Sequence, residues 1–269
     1  MTAPASTSRP GLAIVTGASR GLGRALSGRL AREGCDLVLV ARDLSRLDAC
    51  ATELAQTYGV AVETVSADLS RPEAPAQVFA RLAQLGKTAD VLINNAGFNV
   101  YGRFEVSDLD KELEMIRLHL IATTQLTKFF LQQRDRARRN RILNVSSIAA
   151  LVPGPFVSVH FATRAHLLNF SLALSEEFRG ADVDVTCLCP GPMQTEFFER
   201  AGMSRVRLIS GWPMKTMTAA EVAQSGYRAL MAGKHMVVPG RRNQLLAFAA
   251  DLAPRALRTR FAKWIMDQV

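Results

Sequence analysis

Residues 12–23 read LAIVTGASRGLG, and they decide the fold of this chain. The first four are apolar, and a short apolar run of this kind indicates a buried strand. The next eight place three glycines directly before a helical stretch that extends to about residue 33. In such a strand–turn–helix unit, glycines let backbone N–H groups approach a phosphate at the positive end of the helix. The predicted phosphate-binding residues are Gly17, Ser19, Arg20, Gly21, Leu22 and Gly23.

Further apolar runs at residues 37–40, 60–65, 91–93, 142–145, 183–188 and 236–238 alternate with helical stretches. Strands that alternate with helices predict a parallel, doubly wound sheet. We therefore expect an α/β fold, a single Rossmann-type domain whose seven-stranded parallel sheet is flanked by helices. Its expected parts are a flexible N-terminus at 1–10, a nucleotide-binding domain at 11–240 and a helical C-terminal extension of the same domain at 241–269.

Polar and small residues follow the predicted strands, where a nucleotide lies in a sheet of this kind. Arg42 ends the second strand, a place where a carboxylate would bind the ribose hydroxyls of NAD. Together with Arg20 it offers two guanidinium groups, whose planar geometry matches a 2′-phosphate. The sequence thus predicts NADP(H) over NAD(H), although Asp43, one residue later, favours the opposite choice. Further cofactor-binding candidates at strand ends are Asp68, Leu69, Asn95, Ala96 and Gly97.

Residues 142–170, ILNVSSIAALVPGPFVSVHFATRAHLLNF, contain the candidate catalytic groups. Ser147 follows the fifth predicted strand, at the usual location of a site in an open α/β sheet. His160 and Arg164 are four residues apart on the next predicted helix, so they share one face. A hydroxyl, an imidazole and a guanidinium are therefore expected to converge on one small volume. The alternative is a core histidine and a solvated arginine.

Composition narrows the class of protein. The chain has 269 residues, 48% of them hydrophobic, and a net charge of +9 that is concentrated at residues 134–141 and 241–263. No aromatic residues interleave the first basic cluster, as a surface for single-stranded nucleic acid would need, so we expect a solvated basic face and no nucleic-acid partner. No apolar run is long enough for a transmembrane helix, and the N-terminus lacks an apolar signal core. Four cysteines without metal-ligand spacing indicate reduced thiols, a cytoplasmic protein and no bound metal.

Two apolar stretches lie in the C-terminal third of the chain. The first lacks a clear periodicity, and the second has the spacing of an amphipathic helix. Residues 193–217 contain four methionines with Phe197, Phe198 and Trp212, and they suggest a flexible lid over an apolar small-molecule substrate. At the end of the chain, Leu257, Phe261, Trp264 and Ile265 fall at helical spacing between basic residues. Such a helix can lie on an anionic membrane surface. We favour packing on a neighbouring subunit or over the substrate lid.

With these motifs in place, the chain resembles a short-chain dehydrogenase/reductase over about residues 11–240. The resemblance rests on TGASRGLG at 16–23, Asp68, NNAG at 94–97 and PGPMQTEF at 190–197. It implies NAD(P)-dependent carbonyl–alcohol chemistry in a dimer or tetramer. It also adds cofactor-binding candidates, namely Arg164, Pro190, Gly191, Met193 and Thr195.

The catalytic motif departs from this family. The family places a tyrosine thirteen residues after its serine and a lysine four residues beyond. Here Ser147 fits the serine, but the tyrosine and lysine positions are His160 and Arg164. The position of the family's asparagine, on the preceding long helix, is His119. Three of the four catalytic positions are therefore changed. In the family, the tyrosine donates a proton to the carbonyl oxygen, and the lysine lowers the pKa of the tyrosine.

Three hypotheses remain open from the sequence. The leading one is an NADP(H)-dependent oxidoreductase with a variant Ser147, His160, Arg164 site. The second is a non-redox enzyme on the same scaffold, a cyclase, isomerase or dehydratase that uses His160 and His119 as acid and base. The third is a cofactor-binding protein without turnover. In each case we expect Arg164 to lower the pKa of His160 and to favour the neutral imidazole.

Assembly is also predicted from helix patterning. The helices expected at residues 107–133 and 157–178 carry apolar residues on more than one face. A helix that is apolar around much of its girth must be buried. One stripe can face the sheet and the other a symmetry-related copy, so we predict a homodimer or homotetramer through these two helices.

Overall fold

The computed structural model describes residues 11–203, 206–207 and 216–268, so the predicted flexible segment 1–10 lies outside it. Its seven strands form one sheet in the order β3-β2-β1-β4-β5-β6-β7, with every neighbouring pair parallel. The strands are β1 (Leu12–Thr16), β2 (Asp36–Ala41), β3 (Val62–Ser66), β4 (Val91–Asn94), β5 (Asn140–Val145), β6 (Val183–Leu188) and β7 (Met236–Val237). The predicted doubly wound α/β fold is confirmed.

Helices cover both faces of this sheet. They are α1 (Gly21–Arg32), α2 (Leu44–Tyr58), α3 (Ala74–Gln84), α4 (Leu109–Ile116), α5 (Thr123–Gln133), α6 (Ser158–Glu177), α7 (Phe197–Arg200), α8 (Ala219–Met231), α9 (Arg241–Leu252) and α10 (Arg255–Met266). Helices α1, α2 and α8 pack on one face, and α3, α5 and the end of α6 pack on the other. Because both faces are covered, strands such as β1 are apolar at nearly every position.

The predicted helix over residues 107–133 is not one α-helix. A π-helical turn, Arg117–Ala122, separates α4 from α5, and His119 lies in it. Apolar periodicity cannot reveal such a turn, because it changes the hydrogen-bond step over only a few residues. The third strand also differs slightly, since it spans Val62–Ser66 rather than residues 60–65.

The basic cluster at residues 134–141 is only in part the solvated face that we predicted, since Arg136 and Arg138 are exposed and the other arginines are not. Arg134 Nε lies 2.7 Å from Asp182 Oδ2, and Arg139 Nε lies 2.7 Å from Asp184 Oδ2. Arg141 is buried inside β5. The carboxylates lie on or next to β6, which is far away in sequence, so their pairing with this cluster was invisible before folding.

The predicted assembly stays a prediction. On α6, the apolar stripe formed by Leu167, Phe170, Leu174 and Phe178 was predicted to meet a symmetry-related copy. It is largely covered within the chain itself, since Leu167 is buried and Leu174 packs on the core. Apolar side chains are nevertheless exposed around α4, among them Phe104, Leu109 and Ile121. Within the described part of the chain, no helix has the length and apolar character needed to cross a membrane.

Candidate active site

A cavity of about 1320 Å³ runs along the carboxyl ends of the strands, as expected for an open α/β sheet. It extends from the glycine turn, past Ser147 and His160, to helices α9 and α10. The predicted site residues that line it are Gly17, Ser19, Arg20, Gly21, Leu22, Arg42, Asp68, Leu69, Asn95, Ala96, Gly97, Ser147, His160, Arg164, Pro190, Gly191, Met193 and Thr195. Gly23 and His119 lie behind its wall.

The glycine turn needs its glycines for close backbone approach. Gly17 has a φ of 66°, and a methyl group on Gly23 would lie only 2.2 Å from the Gly17 carbonyl oxygen. Helix α1 then begins at Gly21, with no acidic residue in its first turn. The N–H groups of that turn carry the positive end of the helix dipole, so the turn fits the pyrophosphate of a dinucleotide.

Asn95 braces this turn from the neighbouring strand. Its side-chain amide donates to the Thr16 carbonyl oxygen at 2.9 Å. The Thr16 hydroxyl accepts from the backbone N–H groups of Asn95 and Ala96 and donates to Ile93 O. Asn95 thus lines the cavity and also holds the glycine turn, a structural task that its position at a strand end did not reveal.

Two arginines flank the predicted adenosine end of the cavity. Arg42 pairs with Glu114 at 2.9 Å, and Arg20 pairs with Glu196 at 3.0 Å. Both pairs are solvent-exposed and therefore weak, so a phosphate can displace the carboxylates. Asp43, the residue that would favour NAD(H), instead caps α2 by accepting from the Arg46 backbone N–H.

Ser147 lies at the end of β5, where it caps a short 3₁₀ helix, Ile148–Leu151. Its Oγ accepts from the Ala149 backbone N–H at 3.1 Å. Its hydroxyl hydrogen points to the Pro190 carbonyl oxygen at 3.3 Å, which is long for an O–H donor. A substrate oxygen in the cavity can therefore take over this hydrogen with little loss.

His119 is held in one tautomer. Thr163 donates its single hydroxyl hydrogen to His160 O at 2.7 Å, so its oxygen must accept from His119 Nδ1 at 2.9 Å. The other nitrogen, Nε2, then accepts from the Phe98 backbone N–H at 3.2 Å and from Arg164 Nη2 at 3.1 Å. Burial first, and then the charge of Arg164, lowers the pKa of His119 well below its usual range. His119 is thus a neutral acceptor with both nitrogens occupied.

Arg164 is a buried guanidinium. Its Nη1 donates to Val145 O at 2.9 Å, and its Nη2 donates to His119. Among the described residues it forms no salt bridge. Burial lowers its pKa to about 10, so it remains charged near neutral pH. The alternative of a solvated arginine is wrong.

His160 lines the cavity with a largely buried ring. The side chain is 6% exposed, and its Nδ1 has no hydrogen-bond partner. Its ring lies 5.8 Å from that of His119 and 5.7 Å from that of Phe197, centroid to centroid. Burial, and then the charge of Arg164, lowers its pKa well below the usual range. The predicted direction is confirmed, but burial is the larger cause.

Acid should therefore destabilise the fold through both histidines. The pKa values of His119 and His160 are lower in the folded chain than in the unfolded chain, where a histidine has a pKa of about 6.5. The unfolded state therefore binds more protons as the pH falls below that value. Above about pH 6.5 these histidines do not reduce the free energy of unfolding. Below that pH, the free energy of unfolding should fall by about 1.4 kcal/mol per pH unit for each histidine. Urea unfolding across a pH series measures this slope.

His160→Gln should remove about half of that acid slope, because it deletes one of the two groups. His166→Gln is the matched control, since it makes the same substitution at an exposed position of the same helix. An unchanged slope in His160→Gln would show that His160 is not protonated on unfolding.

The substrate end of the cavity is built from residues far apart in sequence. Phe161, Met203 and Met266 form an apolar cluster there with Val157 and Val206. Helices α9 and α10 form the far wall of the cavity. The sequence had suggested that the terminal helix, now α10, packs over the substrate lid or on a neighbouring subunit, and its place in this wall resembles the first of these. The amphipathic spacing of α10 was visible in the sequence, whereas the contribution of α9 was missed. In the predicted lid, Trp212 and Met214 lie outside the described residues.

The family can now be stated. A model of the short chain dehydrogenase family matches residues 11–205. This chain belongs to that family. Its fold, glycine turn and cavity agree with the assignment, and the curated relatives described next are named as dehydrogenases and reductases. The individual roles given to Ser147, His160, Arg164 and His119 stay predictions.

Several curated relatives fall in two groups of enzymes. Mouse 17-beta-hydroxysteroid dehydrogenase type 3 is 32% identical over 261 residues, which is 96% of this chain and 84% of that protein. The human protein of the same name is 32% identical over 185 residues, 68% of this chain and 59% of its own length. A very-long-chain 3-oxoacyl-CoA reductase from Laccaria bicolor is 33% identical over 200 residues, 74% of this chain and 57% of the reductase. The matches thus span under two thirds of the human and fungal proteins.

Solved structures agree with the fold. A short-chain dehydrogenase from Sphingobium yanoikuyae in complex with NADPH superposes with a TM-score of 0.78 at 32% identity, covering 89% of this chain and 93% of that one. The L-sorbose reductase from Gluconobacter frateurii, complexed with NADPH and L-sorbose, gives a TM-score of 0.75 at 26% identity, covering 86% and 95%.

Proposed function

We propose that this protein is an NADP(H)-dependent oxidoreductase that acts on an apolar carbonyl or alcohol through Ser147, His160 and Arg164. The observation that carries this proposal is the place of His160, which lines the cavity at the position of the family's tyrosine. An imidazole at this place can offer a ring nitrogen to a ligand oxygen, either as a donor or as an acceptor.

The cofactor would lie along the strand ends. The glycine turn would bind the pyrophosphate, and Arg20 with Arg42 would bind the 2′-phosphate. NADP(H) supplies the hydride when it is bound. The NADPH complexes of the Sphingobium dehydrogenase and the Gluconobacter reductase support this choice. The surroundings of Asp43 support it as well, because that carboxylate is occupied as a helix cap.

At the reacting end, Ser147 and His160 would hold the substrate oxygen. The lowered pKa of His160 leaves the imidazole neutral near neutral pH, so it serves as a hydrogen-bonding group rather than as a cationic acid. Arg164 keeps its charge one helical turn away and cannot relay a proton. A fixed positive charge at low dielectric would stabilise negative charge that develops on the substrate oxygen.

His119 would act as a positioning residue. Both of its nitrogens are used to hold Arg164, Thr163 and the Phe98 backbone. The non-redox alternative needs His119 as a second acid or base, and no observation in this site favours it. Relative to the family, His119 replaces an asparagine and Arg164 replaces a lysine. The two replacements fit each other, because the His119 ring accepts a hydrogen bond from the Arg164 guanidinium.

The substrate is proposed to be a bulky apolar molecule. The wall beside His160 is aromatic and aliphatic, including Phe161, Phe197 and Met203. Relatives that act on steroids and on very-long-chain 3-oxoacyl thioesters support this class. NADPH oxidation with steroid ketones and long-chain 3-oxoacyl thioesters tests the proposal. Silence on this panel, together with solvent-proton incorporation without NADPH consumption, would overturn it.

Cofactor preference should reverse on replacement of Arg42. Arg42→Asp removes a charge-assisted hydrogen bond and should weaken NADPH binding by about tenfold or more, while NADH binds as well as before or better. Calorimetric titration of both cofactors measures this effect. Arg81→Asp is the control, because Arg81 has a similar exposed ion pair, with Glu63, and does not line the cavity. Equal binding of NADH and NADPH by the native protein would contradict the assignment.

A further inference from the structure

Helices α9 and α10 turn apolar stripes towards solvent. The side chains, between 47% and 70% exposed, are Leu245, Phe248, Leu252, Leu257, Phe261 and Trp264. They follow spacings of three, four and seven residues, so each helix presents them on one face. We call these six side chains the α9–α10 surface. It is apolar enough to indicate an interaction site.

The charge around this surface is strongly positive. Six basic residues and two acidic residues lie between positions 241 and 267. Arg241, Arg242, Arg255, Arg260 and Lys263 are all exposed. Apolar side chains surrounded by lysine and arginine are typical of helices that lie in the interface of an anionic membrane.

A second exposed apolar region provides a contrast. Around α4, the exposed side chains are Phe104, Val106, Leu109, Leu113 and Ile121. Five acidic and three basic residues lie between positions 103 and 121. That region therefore lacks the positive charge that anionic lipid attracts, and it suits contact with another protein surface better. Charge thus distinguishes the two regions, although both are apolar.

The cavity opens at one edge of the wall that α9 and α10 form. Leu257 and Phe261 line the cavity and are also about half exposed, so they lie at its rim. Arg258, half-buried beside them, donates to Leu151 O at 3.2 Å and ties α10 to the 3₁₀ helix behind Ser147. The basic and apolar surface and the mouth of the cavity therefore lie on the same side of the molecule.

We propose that the α9–α10 surface binds an anionic phospholipid bilayer, with its apolar side chains in the interface and its arginines and lysine against the headgroups. Apolar molecules dissolved in the bilayer would then meet the mouth of the cavity directly. The binding itself is independent of the proposed oxidoreductase activity, because it depends only on the α9–α10 surface and its charge.

Co-sedimentation of the full chain with vesicles tests this proposal. Binding is expected to vesicles of phosphatidylcholine with phosphatidylserine, and to be at least about tenfold weaker with phosphatidylcholine alone or at high salt. Arg241→Glu with Arg242→Glu should weaken binding by about tenfold or more. Phe248→Ser with Leu252→Ser should do the same, and none of these four side chains lines the cavity. Retained NADPH binding shows that each variant is folded.

The matched control is Val106→Ser with Leu109→Ser, which removes equally exposed apolar side chains from the α4 region and should leave vesicle binding unchanged. Two outcomes would overturn the proposal. One is absence of binding by the native chain, or equal binding to neutral and anionic vesicles. The other is light scattering that shows a dimer converted to a monomer by Phe248→Ser with Leu252→Ser, which would assign the surface to a second copy of the chain.

Discussion

His160→Phe is expected to lower kcat/KM by about 10²-fold or more, because it removes the imidazole that is proposed to hydrogen-bond the substrate oxygen. His160→Gln keeps a polar amide at the same place and should lose less. NADPH affinity should change by less than about twofold in both variants, since the predicted dinucleotide contacts lie elsewhere. Steady-state rates with an apolar ketone and calorimetric titration of NADPH separate the two effects.

The pH dependence of the native rate identifies how His160 works. If it acts as a neutral group, the rate should be level from about pH 6.5 to pH 9, and a falling limb due to an imidazolium should be missing there. The strongest contrary result would come from the combined change His119→Asn, His160→Tyr, Arg164→Lys. Robust ketone reduction by that variant, with silence from the native protein, would show a decayed dehydrogenase rather than a working variant site.

Gly97→Ala is expected to destabilise the protein by about 2–4 kcal/mol, because the added methyl has no room and breaks buried hydrogen bonds. It would lie 2.5 Å from Arg164 Nη2 and 2.8 Å from His119 Nε2. Neither group can move away freely, since each is fixed by other partners in the buried cluster. Urea unfolding measures the loss.

Gly28→Ala is the control for this glycine substitution. Gly28 lies inside α1, where an added methyl would meet only Leu54 Cδ2 at 3.7 Å, an ordinary contact. Alanine also favours the helix, so this variant should be neutral or more stable by up to about 1 kcal/mol. If Gly97→Ala is as stable as Gly28→Ala, the buried Arg164–His119 arrangement is looser than the structure indicates.

The fold was predictable because its signals are local. The apolar run and the glycines of TGASRGLG are adjacent in the sequence. Each strand and each helix of the alternating pattern is likewise recognised from a short stretch of residues. The spacing of Ser147, His160 and Arg164 located the candidate site for the same reason. All three side chains line the same cavity.

Other parts of the site depend on contacts that no local pattern contains. His119 reaches Arg164 through a π-helical turn, and its tautomer depends on Thr163, which is 44 residues away. The salt bridges of Arg134 and Arg139 depend on aspartates near β6. The wall supplied by α9 follows from where the chain returns after β7. Sequence patterning specifies elements, whereas such pairings depend on how the elements dock.

The hydrogen bonds around Thr163 have a consequence for the supply of protons. The Thr163 hydroxyl donates its hydrogen to the His160 carbonyl oxygen, which has no proton of its own to release. His119 Nε2 already accepts from the Phe98 backbone N–H and from the Arg164 guanidinium. A chain of hydrogen bonds conducts protons only if each member can both receive and release one. This one cannot, so the hydrogen bonds through Thr163 and His119 do not relay protons to the site. A proton for a substrate oxygen would then arrive from the cavity side, through water or Ser147.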